Sequence, residues 1–142
     1  METKKIPLFR PVGIQELQKI CALGWNAFPP RLPEQPIFYP VTNREYAIQI
    51  ARDWNTKDSH SGYCGFVTSF SVDAGYLQQF QAQQVGARVH QEYWIPSEHL
   101  EEFNRHIIGG IQIDTAFYGV RYVGTRFEIP RDIAALKAAL GR

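Results

Sequence analysis

The chain has little cysteine and almost no charge imbalance. Cys21 and Cys64 lie far apart, with no second Cys or His at metal-ligand spacing beside either, which argues against a disulfide framework and a zinc ribbon. Its 15 basic and 14 acidic residues leave a net charge of +1, and the stretches on either side of Ser71 carry +2 and −1. Neither has the positive excess that phosphate-backbone binding needs, so nucleic acid is not expected as a partner. No run approaches the ~18 apolar residues that span a bilayer, and Met1-Glu2-Thr3-Lys4-Lys5 leads into no apolar signal core. The chain reads as soluble, reduced and cytoplasmic, without a membrane partner. Gly-x-Gly-x-x-Gly, the phosphate loop, the Gly-x-Ser-x-Gly elbow and His-Glu-x-x-His are all missing.

What is present suits one folded domain over residues 1–142. A composition 44% hydrophobic, 13% aromatic and 20% charged excludes a disordered or fibrous chain. A chain of this length buries about two thirds of its unfolded surface.

Ile6 to Val12 reads as a strand bounded by prolines, and Ile14, Leu17, Ile20 and Cys21 then recur at helical spacing up to a C-terminal glycine, Gly24. Trp25 to Pro36 holds four prolines in the eight residues from Pro29 and is expected to be an ordered flap bordering a cleft. Ile37 to Val41 reads as a strand, and Thr42 with Glu45 forms a capping box ahead of a helix with Tyr46, Ala47, Ile50, Ala51 and Trp54 on one face. After a polar turn region, Cys64 to Val72 is a strand, Ala74 to Phe80 a short helix, Gln81 to Arg88 a Gln-rich connection and Val89 to Ile95 a strand. Ser97 caps a short helix to Asn104, Ile107 to Tyr118 alternates as a half-buried strand, Val120 to Phe127 is expected as a last strand, and Pro130 to Leu140 is an Ala-rich helix. The order predicts an α+β domain, since the second half lacks helical crossovers long enough for parallel pairs. We expect two small packed β-sheets flanked by short helices that begin near Gly13 and Thr42.

On the residues alone, Arg10 is a charge at a strand end, Tyr39 and Tyr46 are half-buried packing, and Glu92 is a solvent-facing strand residue beside Tyr93 and Trp94. His90 and Glu92 share one face of a strand, but two candidate ligands make no metal site, and no metal is expected. Trp25, Trp54 and Trp94 read as core anchors, and His60, His99 and His106 have no evident partner.

Leu8-Phe9-Arg10-Pro11-Val12-Gly13, Ile37-Phe38-Tyr39-Pro40-Val41 with Tyr46-Ala47 and Ile50-Ala51, and His90-Gln91-Glu92-Tyr93-Trp94-Ile95-Pro96 resemble short bacterial proteins that carry ADP-ribosylation and J-crystallin names. The resemblance extends to about Tyr118. J-crystallin-related hydrolases are larger and all-helical, so the strand-rich order here resembles the ADP-ribosyltransferase fold instead. That resemblance implies NAD as substrate, bound between two small sheets, with an unknown protein or small-molecule acceptor. It maps the family's first-strand cation onto Arg10, its aromatic or hydroxyl strand onto Tyr39 with Tyr46 or onto Thr68-Ser69, and its catalytic glutamate onto Glu92. His90 stands where the family places Glu or Gln, and there is no Ser-Thr-Ser. Under this mapping Glu92 steadies the ribosyl cation, Arg10 grips the pyrophosphate, and Tyr39 or Tyr46 stacks on nicotinamide. A toxin of the RES type that hydrolyses NAD, or a catalytically silent binding module of the same fold, are the alternatives it leaves open.

Overall fold

The computed structural model describes residues 4–86 and 90–141. Its elements run β1 (Lys5–Val12), α1 (Ile14–Ala22), β2 (Ile37–Phe38), α2 (Arg44–Asp53), β3 (Cys64–Asp73), α3 (Ala74–Leu77), β4 (Ala82–Gln84), β5 (Gln91–Tyr93), β6 (Ile95–Pro96), α4 (Leu100–Arg105), β7 (Ile107–Tyr118) and α5 (Ile133–Leu140). Two 3₁₀ turns, Asn55–Lys57 and Ser59–Ser61, follow α2. The fold is α+β, and every strand pairing is antiparallel.

Strand β3 is the centre of a three-stranded sheet in the order β1-β3-β7. Its alternation puts Phe66, Phe70 and Val72 into the main core with Leu8, Leu17, Ile20, Phe103 and Ile111. The opposite face is shallower. There Val67 packs with Val41, Ala47 and Ala51, and α2 comes so close that a Cβ added at Gly65 would lie 2.6 Å from the Ala51 carbonyl oxygen. Only glycine admits that approach.

The sheets differ from the expected pair of stacked layers. β2 pairs with β6, β4 pairs with β5, and the β4-β5 pair joins β1 edge to edge through single bridges from Val41 to Phe9 and to Glu92. The expected strand from Val89 to Ile95 divides because Gln91–Tyr93 pairs with β4 while Ile95 pairs with Phe38; its first residue lies outside the described residues, as do Ala87 and Arg88. Part of the Gln-rich connection is itself the strand β4, since a ladder asks only for backbone groups.

The expected strand from Val120 to Phe127 is a loop. After Gly119 the chain turns, and the Tyr118 hydroxyl accepts from Phe127 N at 2.9 Å and donates to Phe127 O at 3.1 Å, replacing ladder bonds with side-chain ones. Val120 and Val123 are left exposed. The cap of α2 is also not Thr42. Asn43 Oδ1 accepts from Glu45 N at 2.7 Å and Tyr46 N at 3.3 Å, while Thr42 N turns to Gln91 O at 3.0 Å.

The proline loop is anchored at its root by Asn104, whose side chain bonds both backbone groups of Phe28. Phe28 is buried with its ring 5.0 Å from Phe38 and 4.9 Å from Phe70. Among the described residues no helix is long and apolar enough to cross a membrane.

Candidate functional site

A cleft of about 910 Å³ opens between β1, the proline loop, α1 and the turn that follows α2. That volume is within the range of pockets that hold cofactor-sized ligands. Of the residues singled out from the sequence, Arg10, Tyr39 and Glu92 line it, and Tyr46, Thr68 and His90 do not.

Glu92 reaches the cleft because Val41 inserts between β1 and β5. Phe9 and Val41 exchange both backbone bonds, 2.9 Å and 2.8 Å, and Tyr93 N donates to Pro40 O at 2.8 Å. The carboxylate is half-buried, not solvent-facing, and each oxygen has a donor: Trp94 Nε1 at 2.9 Å on Oε1 and the Tyr46 hydroxyl at 3.2 Å on Oε2. These neutral donors orient the group without cancelling its charge. Burial, and after it the charge and hydrogen bond of Glu92, raise the Tyr46 hydroxyl above its ordinary pKa, so it stays a donor at neutral pH.

Tyr46 therefore holds Glu92 and is not a free ring. Its other contact is His90, whose imidazole stacks on it at 4.4 Å and 23° while Nε2 meets Gln49 Oε1 at 2.8 Å. Thr68 is fully buried and donates to Arg10 O at 2.8 Å, which fixes the sheet and leaves its hydroxyl no access to a ligand. Of the two tyrosines, Tyr39 is the one that lines the cleft, exposed and set edge-on to Trp94 at 6.3 Å and 87°. Trp54 and Trp94 are also exposed and line the cleft. The expectation that all three tryptophans anchor the core holds for Trp25, which packs against it, and fails for these two.

Arg10 is not a free fork. Its Nε and Nη2 donate to Glu16 at 2.6 Å and 2.9 Å, and its guanidinium lies 4.6 Å over the Phe38 ring. A bidentate pair of this kind already satisfies the geometry that a pyrophosphate oxygen pair would use. Burial pushes the Glu16 carboxyl up, but the charge and hydrogen bonds of Arg10, with the charges of Arg31 and Lys19, hold it below its ordinary value.

Two residues of this cluster escaped the sequence reading. Glu16 sits on α1, six positions after Arg10 on β1, so no single helix or strand period relates the two. Arg31 stands alone among prolines, where a cation reads as solvated, yet its side chain is only 12% exposed. The nearest signal in the sequence was the proline density itself. On the far wall the Ser61 hydroxyl donates a hydrogen bond to Asp58 Oδ2 at 2.7 Å and accepts one from Asn55 Nδ2 at 2.8 Å, which ties the turn after α2 together.

Comparison with protein-family models, with curated proteins and with solved structures gives no match, so the side-chain arrangement alone carries the functional reading.

Proposed function

We propose that the cleft binds NAD, in the manner of an ADP-ribosyltransferase-like fold, and that Glu92 stabilises the ribosyl cation formed as nicotinamide leaves. In that step the bond between ribose C1′ and the pyridinium nitrogen breaks, and its electron pair neutralises the ring. Nicotinamide departs as a neutral molecule, so the reaction needs no strong general acid, unlike an O-glycoside that uses two carboxylates. A nucleophilic oxygen or nitrogen of the acceptor, or water, then bonds to C1′ and releases its proton.

The observation that carries this reading is the setting of Glu92. The Glu92 carboxylate, oriented by Tyr46 and Trp94, lines the cleft together with Glu16, Glu34 and Asp58, and the rim presents the exposed ring of Tyr39. A fixed negative charge placed where positive charge develops acts without reorganising at the moment of reaction. Tyr39 supplies a face or edge for the departing ring.

The test is an incubation of the protein with NAD, following nicotinamide with and without cell lysate. Release by the protein alone indicates hydrolysis of the kind a RES-type toxin performs, and release only with lysate indicates transfer to an acceptor. Release in neither case removes the enzymatic reading. It favours a silent binding module, which the closed pair of Arg10 and Glu16 also suits.

A further inference from the structure

We infer that the cleft contains a seat for a phosphoryl or diphosphate group, formed by the guanidinium of Arg31 and the ammonium of Lys19 with the pair of Arg10 and Glu16 behind them. The identification of that group as the diphosphate of a dinucleotide rests on the NAD reading; the seat itself rests on charge.

Glu16 pairs with Arg10 at 2.6 Å and lies 3.9 Å from Arg31, and Lys19, three positions further along α1, lines the same cleft. Both Glu16 oxygens already accept short bonds from Arg10. Arg31 is left with a single approach of 3.9 Å from Nη1 to Glu16, beyond hydrogen-bonding range, and its Nε is buried with no partner among the described residues. Glu34, three positions along the same loop, is exposed and forms no ion pair with Arg31.

Arg31 is largely shielded from water, and its nearest counter-charge, Glu16 at 3.9 Å, is already paired with Arg10, so its charge is only partly compensated, which is unfavourable. Burial first, and then the like charge of Arg10, lower the pKa of Arg31, and Glu16 and Tyr39 only partly oppose this. The fold nevertheless holds Arg31 there, on a loop stiffened by Pro29, Pro30, Pro33 and Pro36 and fastened at its root by Asn104. Arg10, Lys19, Arg31 and Glu16 together carry a positive excess that an anion would balance, while Glu34, Asp58 and Glu92 also line the cleft. A planar guanidinium beside a mobile ammonium matches phosphoryl oxygens, with the guanidinium supplying paired donors and the ammonium a point charge.

Two signatures separate this seat from a structural arginine. Inorganic diphosphate at low salt should bind the full chain saturably, and Arg31→Gln should weaken it roughly tenfold or more, the scale of one lost charge-assisted contact. Arg31→Lys should restore part of the affinity. Arg126→Gln, at an exposed arginine outside the cleft, should change nothing. Without any anion, Arg31→Gln should melt at the same temperature as the parent or higher, since a largely buried and only partly compensated charge has been removed. No saturable binding, equal weakening by Arg126→Gln, or a lower melting temperature for Arg31→Gln alone each overturns the seat. Inorganic phosphate run in parallel distinguishes a one-phosphate seat from a two-phosphate one. Diphosphate binding that depends on Arg31 in a protein that releases no nicotinamide keeps the seat and removes the NAD reading. Nicotinamide release with a KM for NAD untouched by Arg31→Gln does the reverse.

Discussion

Asn104 grips Phe28 by both backbone groups: its Oδ1 accepts from Phe28 N at 2.9 Å and its Nδ2 donates to Phe28 O at 3.0 Å. The α4 side chain thus acts as a short strand for a loop that has no sheet partner there, and it fixes where the proline segment leaves the core. Limited trypsin digestion reads this directly. Arg31 should be cut far more slowly than Arg121 or Arg126, which are exposed. Asn104→Ala should speed cleavage at Arg31 while leaving the others unchanged. Rapid cutting at Arg31 in the parent, unaffected by NAD, would show that the loop does not border an NAD site.

Glu92 and Arg10 should respond differently to substitution. Glu92→Gln keeps the volume and, with its oxygen toward Trp94 Nε1, one of the two acceptor contacts, while its amide NH2 meets the Tyr46 hydroxyl, which can turn to accept. The charge is removed, so NAD binding should persist while nicotinamide release falls by about two orders of magnitude. Tyr46→Phe removes one of the two donors on Glu92, and its expected effect is a smaller loss in kcat with KM preserved. Arg10→Ala leaves the Glu16 carboxylate enclosed without its main partner. It should lower stability by about 3 kcal/mol, the low end for breaking such a pair because both side chains retain some solvent access, 11% and 22% exposed. Chemical denaturation of Arg10→Ala and nicotinamide release by Glu92→Gln measure the two effects separately.

Acid should weaken the protein through Glu16. Its folded-state pKa lies below its ordinary value of 4.5, so the unfolded chain binds this proton more readily than the folded one. The stabilising contribution is therefore complete above that value and is lost as pH falls through the lower folded-state pKa. Thermal melting followed downward from about pH 5 should show the parent losing stability more steeply than Glu16→Gln, which has no such proton to take up. Parallel curves for the two proteins would remove Glu16 from the account of acid sensitivity.

The elements with a single strong period were readable from the sequence, and those defined by tertiary pairing were not. Leu17 with Ile20 and Phe66 with Phe70 and Val72 each mark one buried face, so α1 and β3 follow from spacing alone. The stretch ending at Ile95 looks like one strand because its composition is uniform, but Tyr93 and Ile95 find partners in different sheets. Val120 and Val123 have strand-forming side chains with nothing to cover them, and the bonds of the Tyr118 hydroxyl to Phe127 hold a loop there instead. At the site, Tyr39 and Glu92 are singled out by the family resemblance, whereas their residue types alone read as packing and as a solvent-facing strand position; the structure places both along the cleft. Arg31 could not be found from the sequence, since its burial arises from how the proline loop packs beside Glu16.

The cap of α2 offers a sharp test of local structure. Thr42 and Glu45 have the spacing of a capping box, but Asn43 is the residue in extended conformation with φ −129° and ψ 129°, and its oxygen accepts from two of the free N–H groups of the first turn, those of Glu45 and Tyr46. An Asn side chain reaches back to its own backbone two and three residues on, so it competes with Thr42 one position earlier and wins here. Thr42 Oγ1 makes only long contacts of 3.4 Å to Gln91. Asn43→Ala should cost about 1 kcal/mol in denaturant unfolding. Thr42→Ala should cost clearly less, because those contacts are marginal and Thr42 N keeps its backbone bond to Gln91 O. Equal losses, or a larger one at Thr42, would return the cap to the position that the sequence pattern suggests.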